Sequence, residues 1–460
     1  MRWSSTGSSS SKWKAVLADS VTTAKAPEGI TQAFNREAVA TLAESDVQWL
    51  GERRLAAWNT YESLPLPTRQ LEEWRYTDVA DLKLDKVRLT RAQSDTAKDI
   101  PGAARAMLDR GAAAGHVLVV DSDVVEIRLD ESLAAKGVIL ADLRTAALQH
   151  RELVEKHLAT DALPASFSKF AALNAALWNG GVFLYVPRGV RVDEPIRVAR
   201  YIAEGGGAVM PRTLIIADEG SHVGYVEEFM SPNFTQPTLS CGAVEVIAGN
   251  SADVQYVALQ SYGDGVRHIA TQRTIAGRDA NLDTLVVNLG ASLARVDMAA
   301  SLEGPGARSD MLGLYFAQGN QHFDHNTRQD HKVPHATSDL LYKGALYDKT
   351  RAIFRGIIKV FPKAQRTDAY QTNRNLLLSD KAEATSLPNL EIEADDVRCS
   401  HAATVGHLDQ EELFYIMTRG VSRRDAERLV VFGFFGEVLE RLPMPQVVQE
   451  LRAAIAERIG

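Results

Sequence analysis

The stretch Ile216-Ala217-Asp218-Glu219-Gly220-Ser221, an apolar lead into a glycine turn, decides the fold because it recurs. Ile247-Ala248-Gly249-Asn250-Ser251-Ala252, Ile275-Ala276-Gly277-Arg278-Asp279-Ala280 and Leu302-Glu303-Gly304-Pro305-Gly306-Ala307 have the same form. The leaders are 31, 28 and 27 residues apart. A second strand-like run follows each turn: Val223 to Phe229, Val254 to Leu259, Leu282 to Val287 and Met311 to Phe316. Short strands returning at this period, with turns at matching places, describe a solenoid in which each coil buries its inward residues against the coils on either side. Ala294, Val296, Met298 and Ala300 alternate with Arg295 and Asp297, the period-two pattern of a strand with one buried face. Helical patterns are nearly absent between these runs, which argues against a doubly wound α/β sheet. A parallel β-helix is the predicted core, over 115–395; a jelly roll is the competing architecture.

Outward from this core the period changes. Val39, Leu42, Val47, Leu50 and Trp58 recur at helical spacing, stopped by Pro65 and Pro67, and residues 31–114 read as an N-terminal helical region. Residues 396–460 read as a C-terminal helical domain. Asp409 to Arg419 opens on acids and closes before Gly420, as the helix dipole and a glycine C-cap favour. Ser422 with Asp425 caps the next helix, and Pro445 starts the last. Val430, Phe434, Val438, Val447, Leu451 and Ile455 form an apolar face on these two helices. Two uses compete for it: packing on the end of the solenoid, or docking another protein. Removing everything after 405 is expected to leave the β-helix folded.

Composition narrows the class. Of 460 residues, 45% are apolar and 24% charged, an ordinary globular balance. With 51 basic against 59 acidic residues the net charge is −8, which lacks the basic footprint that a nucleic acid requires. Two cysteines, Cys241 and Cys399, fit a reducing compartment without a disulfide framework. No apolar run reaches the roughly 18–20 residues of a membrane span. The serine-rich start lacks a secretory core, and 1–30 is expected to be a disordered tail on a cytoplasmic protein; organelle import is the alternative.

Arg398-Cys399-Ser400-His401-Ala402-Ala403-Thr404-Val405-Gly406 carries the clearest chemistry. Thiolate and imidazole suit soft or borderline metals and iron–sulfur chemistry. One cysteine and one histidine supply at most half a tetrahedral site, so other donors would have to complete it. The plain alternative is a packed thiol beside a hydrogen-bonded histidine. Four histidines fall within His322 to His335. On a strand, His322 and His325 would point to opposite faces, so hydrogen-bonded strand and turn histidines are the default. Glu227/Glu228 and Asp395/Asp396 are adjacent, diverge on strands, and read as solvated. No phosphate-cradling Gly-x-x-x-x-Gly-Lys-Ser/Thr loop occurs. The nearest sequence, Gly344-Ala345-Leu346-Tyr347-Asp348-Lys349-Thr350, lacks the second glycine.

Several longer motifs, in one order, resemble the SufB/SufD family of iron–sulfur cluster assembly proteins. They are Leu71-Glu72-Glu73-Trp74-Arg75-Tyr76-Thr77, Asn179-Gly180-Gly181-Val182-Phe183, the run from Tyr342-Lys343-Gly344 through Arg355-Gly356, and Gln371 to Ser379. Pro388-Asn389-Leu390-Glu391-Ile392 and Cys399 to Gly406 complete the set, covering roughly 60–442. The Glu-Glu-Trp-Arg-Tyr element, the Cys-Ser-His-Ala-Ala-Thr-Val-Gly form and Val431-Phe432-Gly433-Phe434-Phe435-Gly436 resemble the SufD branch. The resemblance implies a right-handed parallel β-helix flanked by N- and C-terminal helical domains. It implies a non-catalytic scaffold of the SUF machinery that pairs with a SufB-like paralogue. Each of the two would bind one SufC ABC-type ATPase through its C-terminal helices, here over Val430, Phe434, Val438, Val447, Leu451 and Ile455. It also implies that His401 lies at the heterodimer interface, opposite a partner cysteine, as a candidate metal ligand shared with that chain. Cys399 is nearby, without a secure role. An iron–sulfur cluster would be held only transiently in the complex, with a cysteine desulfurase system involved indirectly. The isolated chain could form a homodimer. A stand-alone β-helix hydrolase or metal-dependent enzyme is the reading from another class.

Overall fold

The computed structural model describes residues 32–84, 87–90, 100–108 and 110–459; the expected tail 1–30 lies outside them. Two sheets of twelve and ten strands run the length of the core. In the first, Arg212–Ala217, Thr238–Ala248, Val266–Ala276, Leu293–Leu302, His322–His331, Arg351–Val360 and Glu383–Ile392 pair in parallel, in that order. In the second, Ile196–Tyr201, His222–Met230, Asp253–Ser261, Asn281–Asn288, Arg308–Ala317, Thr337–Leu346, Asp368–Leu377 and Arg398–His407 do the same. The chain alternates between the sheets, one strand in each per coil, so the core is a parallel β-solenoid, not a jelly roll.

The register refines the repeat. Ile216, Ile247 and Ile275 stack on one another, but Ser301, not Leu302, continues that column. Leu302 stacks on Ala276, and the Ala217, Ala248, Ala276, Leu302 column faces the interior, each at most 2% exposed. An offset of one residue changes the face because strand side chains alternate. The three isoleucine leaders therefore mark the outward column, while the alanines after them and Leu302 make the core.

Helices occupy more of the chain than the sequence pattern suggested. The N-terminal region holds α1 (Arg36–Ser45), α2 (Gln48–Ser63) and α3 (Gly102–Leu108). Four more interrupt the stretch 115–395: α4 (Glu131–Ala134), α5 (Leu143–Gln149), α6 (Arg151–His157) and α7 (Lys169–Leu177). Ser168 caps α7, and every residue from Phe170 to Leu177 is buried, because this helix lies between α2 and the outer face of the first sheet. At the other end the solenoid continues through 407, so its last strand lies beyond the boundary expected at 396. The C-terminal helices are then α8 (Gln410–Met417), α9 (Arg423–Glu440) and α10 (Pro445–Ile459).

The apolar face of α9 and α10 is already occupied. Val438, Val447, Leu451 and Ile455 are buried against Val257, Leu285, Leu312 and Leu341 on the outer side of the second sheet. Phe434 is half-buried in the same packing, and Val430 is half-buried in a separate cluster with Leu408, Leu413 and Ala426. Val438, Val447, Leu451 and Ile455 therefore do not present a docking surface: the helices lie along the flank of the solenoid, and its sheet takes most of their apolar stripe. Arg197 clamps Glu450 at 2.8 and 2.9 Å, and Arg441 reaches Asp339 at 2.9 Å. Deleting the helices would bare the row Val257, Leu285, Leu312 and Leu341 at ~25 cal/mol per Å² of apolar surface, which destabilises the truncated core.

A pH response follows from one turn of the second sheet. Asp121, at φ 52°, accepts the backbone N–H of Ala203 at 2.8 Å and of Glu204 at 3.3 Å. Burial pushes its carboxyl up to about 7, against those two hydrogen bonds, with the Glu204 and Asp123 charges adding to the rise. The folded state thus holds this proton more tightly than the unfolded chain. Stability contributed here is present at low pH and falls as pH rises from the ordinary value of 3.8 to about 7. Asp121→Asn keeps an acceptor and tolerates the left-handed backbone. It should flatten the melting-temperature profile across that window and melt higher at pH 8; a profile parallel to wild type would reject the assignment.

Candidate functional site

The solenoid ends on open strands. Glu383–Ile392 and Arg398–His407 are the terminal strands of the two sheets, each ten residues long and bonded on one side only. Pairing places Cys399 on Ala369, His401 on Gln371 and Ala403 on Asn373. Ala369, Gln371 and Asn373 are buried in the interior, so Cys399 and His401 continue the inward column of a coil that no further coil covers. His401 is exposed and Cys399 half-buried. Two residues apart on one strand, they share a face.

Their environments differ. Cys399 packs with Val397 and Leu390 against Ile358, Val360 and Ala369. Burial raises its thiol above the ordinary value, and the Asp368 charge adds to this, so it is a poor thiolate at neutral pH. His401 is exposed on the inward side of the last coil, where no further coil covers it. Among the described residues no three His, Cys, Asp or Glu side chains gather as a metal site.

The histidine-rich strand separates as the alternation requires. His322 faces outward and accepts or donates with Thr77 Oγ1 at 2.8 Å. His325 faces inward, 2.7 Å from Asn288 Nδ2, and stacks on Tyr315 at 4.6 Å. His331 also faces inward, 2.8 Å from Ser338 Oγ. Burial brings His325 and His331 down to about 4, so both are neutral at physiological pH. They serve the core as hydrogen-bonded strand residues.

The adjacent glutamates do diverge, but neither is solvated. Glu227 points inward and accepts from Arg200 Nε at 2.5 Å, Thr213 Oγ1 at 2.8 Å and Tyr256 OH at 2.8 Å. Glu228 points outward to Arg110 at 2.6 Å. Asp395 and Asp396 are exposed, as expected. Sequence reading missed the glutamate partners because each lies tens of residues away and meets the carboxylate only through the coil register.

The turn Glu72–Trp74 packs on the first sheet through paired charges and an aromatic contact. Trp74 stacks on the Arg295 guanidinium at 3.6 Å, and Arg295 Nη1 reaches Asp324 at 2.5 Å. Thr77 Oγ1 also donates to Asp324, and Arg355 Nη2 reaches Glu72 at 3.0 Å. The segment is thereby strapped onto the outer face of the first sheet.

Fold and end geometry together define a parallel β-solenoid whose terminal coil offers two pairing edges and an exposed imidazole. The SufBD core domain of SUF-system FeS cluster assembly matches residues 200–434, and the SufBD protein N-terminal region matches 28–198. The chain belongs to the SufBD family of iron–sulfur cluster assembly proteins. An iron–sulfur cluster assembly SufBD family protein of Staphylococcus aureus (strain USA300) is 29% identical over 454 residues, 96% of each chain. One from Staphylococcus haemolyticus (strain JCSC1435) is 30% identical over 447 residues, 95% of this chain and 94% of the relative. No described helix is long and apolar enough to cross a membrane.

Proposed function

We propose that this chain is a non-catalytic, SufD-like scaffold subunit of a cytoplasmic SUF assembly complex. It pairs with a SufB-like paralogue through its open terminal coil, and His401 offers a nitrogen donor to a cluster whose thiolates come from that partner. The cluster is cargo, held while it is built and then passed on. A cysteine desulfurase system supplies sulfur upstream of this subunit. The observation that carries the reading is the pair of unsatisfied ten-residue edges, with His401 on one of them. Long uncovered edges pair with another chain, and a related solenoid fits both at once. In isolation a second copy can occupy the same edges. The alternative of a stand-alone hydrolase is not favoured, because Glu227 and Glu228 are each held by arginine.

The SufC ATPase docks on the C-terminal helices, but on their outward side. Phe414 and Tyr415 of α8 are 69% and 60% exposed, and Leu429 of α9 is 55% exposed. Apolar side chains grouped on a surface helix pair are a usual protein contact. Co-expression with the paralogue and the ATPase should yield a three-protein complex. Phe414→Asp with Tyr415→Asp should lose most of the ATPase while the melting temperature of the chain stays within about 1 °C, as surface changes do. Full ATPase recovery with the double variant would move the docking surface elsewhere. Failure of the wild-type chain to recover either partner would remove the scaffold reading.

A further inference from the structure

The outer face of the first sheet carries a cleft of about 210 Å³ between the Glu73–Trp74 turn and Phe167–Ser168. Its floor comes from outward columns of neighbouring strands. Arg273 and Arg328 stand in one column with Ala299 between them, and both line the cleft. Arg355 stands on the next strand, in the adjacent column.

The cations are unequally satisfied. Arg328 pairs with Asp330 at 2.6 Å. Arg355 reaches Glu72 at 3.0 Å and, through Nη1, Glu73 at 3.8 Å, both largely exposed carboxylates, while its Nε has no hydrogen-bond partner. Arg273 forms no ion pair among the described residues. Its Nε donates to the Ala162 carbonyl at 3.3 Å, and its guanidinium lies 4.5 Å from the Phe167 ring centre. Of the carboxylates lining the cleft, Asp297 is held by Arg295 at 2.9 Å and Glu73 lies 3.8 Å from Arg355, and neither forms an ion pair with Arg273, although the Asp297 charge acts on it. A half-buried guanidinium without an anion is costly, and its planar fork suits carboxylate or phosphate in two-point contact.

We propose that this cleft binds a small oxyanion, a carboxylate or a phosphate, between Arg273, Arg328 and Arg355. The volume is below the ~300 Å³ at which drug-sized sites begin, so the occupant is small. Arg355 pairs in register with Leu387 on the free terminal strand, which puts the ligand one strand from the edge of the solenoid. This inference stands on the cleft alone and does not depend on how that edge is used.

The test is isothermal titration of the full chain at low ionic strength with inorganic phosphate and, separately, with citrate. Saturable binding of one or both probes is expected. Citrate alone would assign a carboxylate ligand, and phosphate alone a phosphate ligand. Arg273→Met and Arg328→Met should each weaken binding about tenfold or more, the effect of losing a hydrogen bond to a charged group. Arg188→Met, which removes an exposed arginine paired with Glu219 on a turn outside the cleft, should leave it unchanged. If Arg273→Met proves unstable, the more exposed Arg328→Met decides. No binding of either probe at millimolar concentration, or equal affinity in wild type and both cleft variants, would overturn the proposal.

Discussion

His401→Ala, reconstituted anaerobically with the paralogue and the ATPase, should still assemble into the complex but lose about tenfold or more of its bound iron and sulfide. Loss of even an indirect metal partner has effects of that order. The separation of assembly from loading rests on position. His401 is exposed on the terminal strand, so alanine removes a donor without opening a core cavity, and the strand's backbone edge is unchanged. Cys399→Ser should retain most of the cluster, because that thiol packs in the rim and is raised by burial. The readouts are iron and sulfide content, visible absorption, and co-elution of the three chains. Wild-type cluster yield from His401→Ala would take the residue out of the site. Loss of the complex itself would make it a packing residue.

Glu245→Ala should destabilise the chain by about 3–5 kcal/mol, the cost of leaving a buried cation without its partner. Arg212 and Glu245 have fully buried side chains, joined by Nη2 to Oε1 at 2.5 Å and Nε to Oε1 at 3.2 Å. Arg212 Nη1 also donates to Asn174 Oδ1 of α7 at 2.8 Å, and the N–H of Ala159 donates to both Glu245 oxygens at 3.1 Å. Burial raises the Glu245 carboxyl, while Arg212 and the Ala159 N–H oppose the rise. The bridge therefore ties the helices at 151–177 to the first sheet. Proteolysis near 158–168 should become rapid in the variant before the solenoid is cut. Glu245→Gln, which keeps an acceptor for the amide, should lie between. An unchanged denaturation midpoint for Glu245→Ala would show that the helical layer is held by apolar packing alone.

Periodicity made the solenoid legible because each coil spends its turn residues at nearly the same place. The spacing of Ile216, Ile247 and Ile275 is the spacing of stacked strands. The cap at Ser422 was equally readable, since capping is a contact over three residues: Ser422 accepts from the Asp425 N–H. Alternation alone separated His322 from His325. What misled was distance. Glu227 and Glu228 resembled solvent-facing acids because Arg200 and Arg110 are remote in sequence. The six apolar residues of the last two helices resembled a docking face because an amphipathic stripe looks the same whether a sheet of its own chain or another protein covers it.

The sequence by itself determined the repeat, the helical flanks, the family motifs and the presence of Cys399 and His401 two residues apart. All are local or periodic properties, and strand and helix geometry convert them directly into faces. Only the tertiary structure decided which coil is last, and so that His401 is exposed while its column-mates Leu340 and Gln371 are buried. It also decided that α9 and α10 cover the flank of the second sheet, leaving Phe414 and Tyr415 outside, and that Arg273, Arg328 and Arg355 share one cleft. These depend on register between strands roughly thirty residues apart and on which surfaces remain once each apolar face has found its cover.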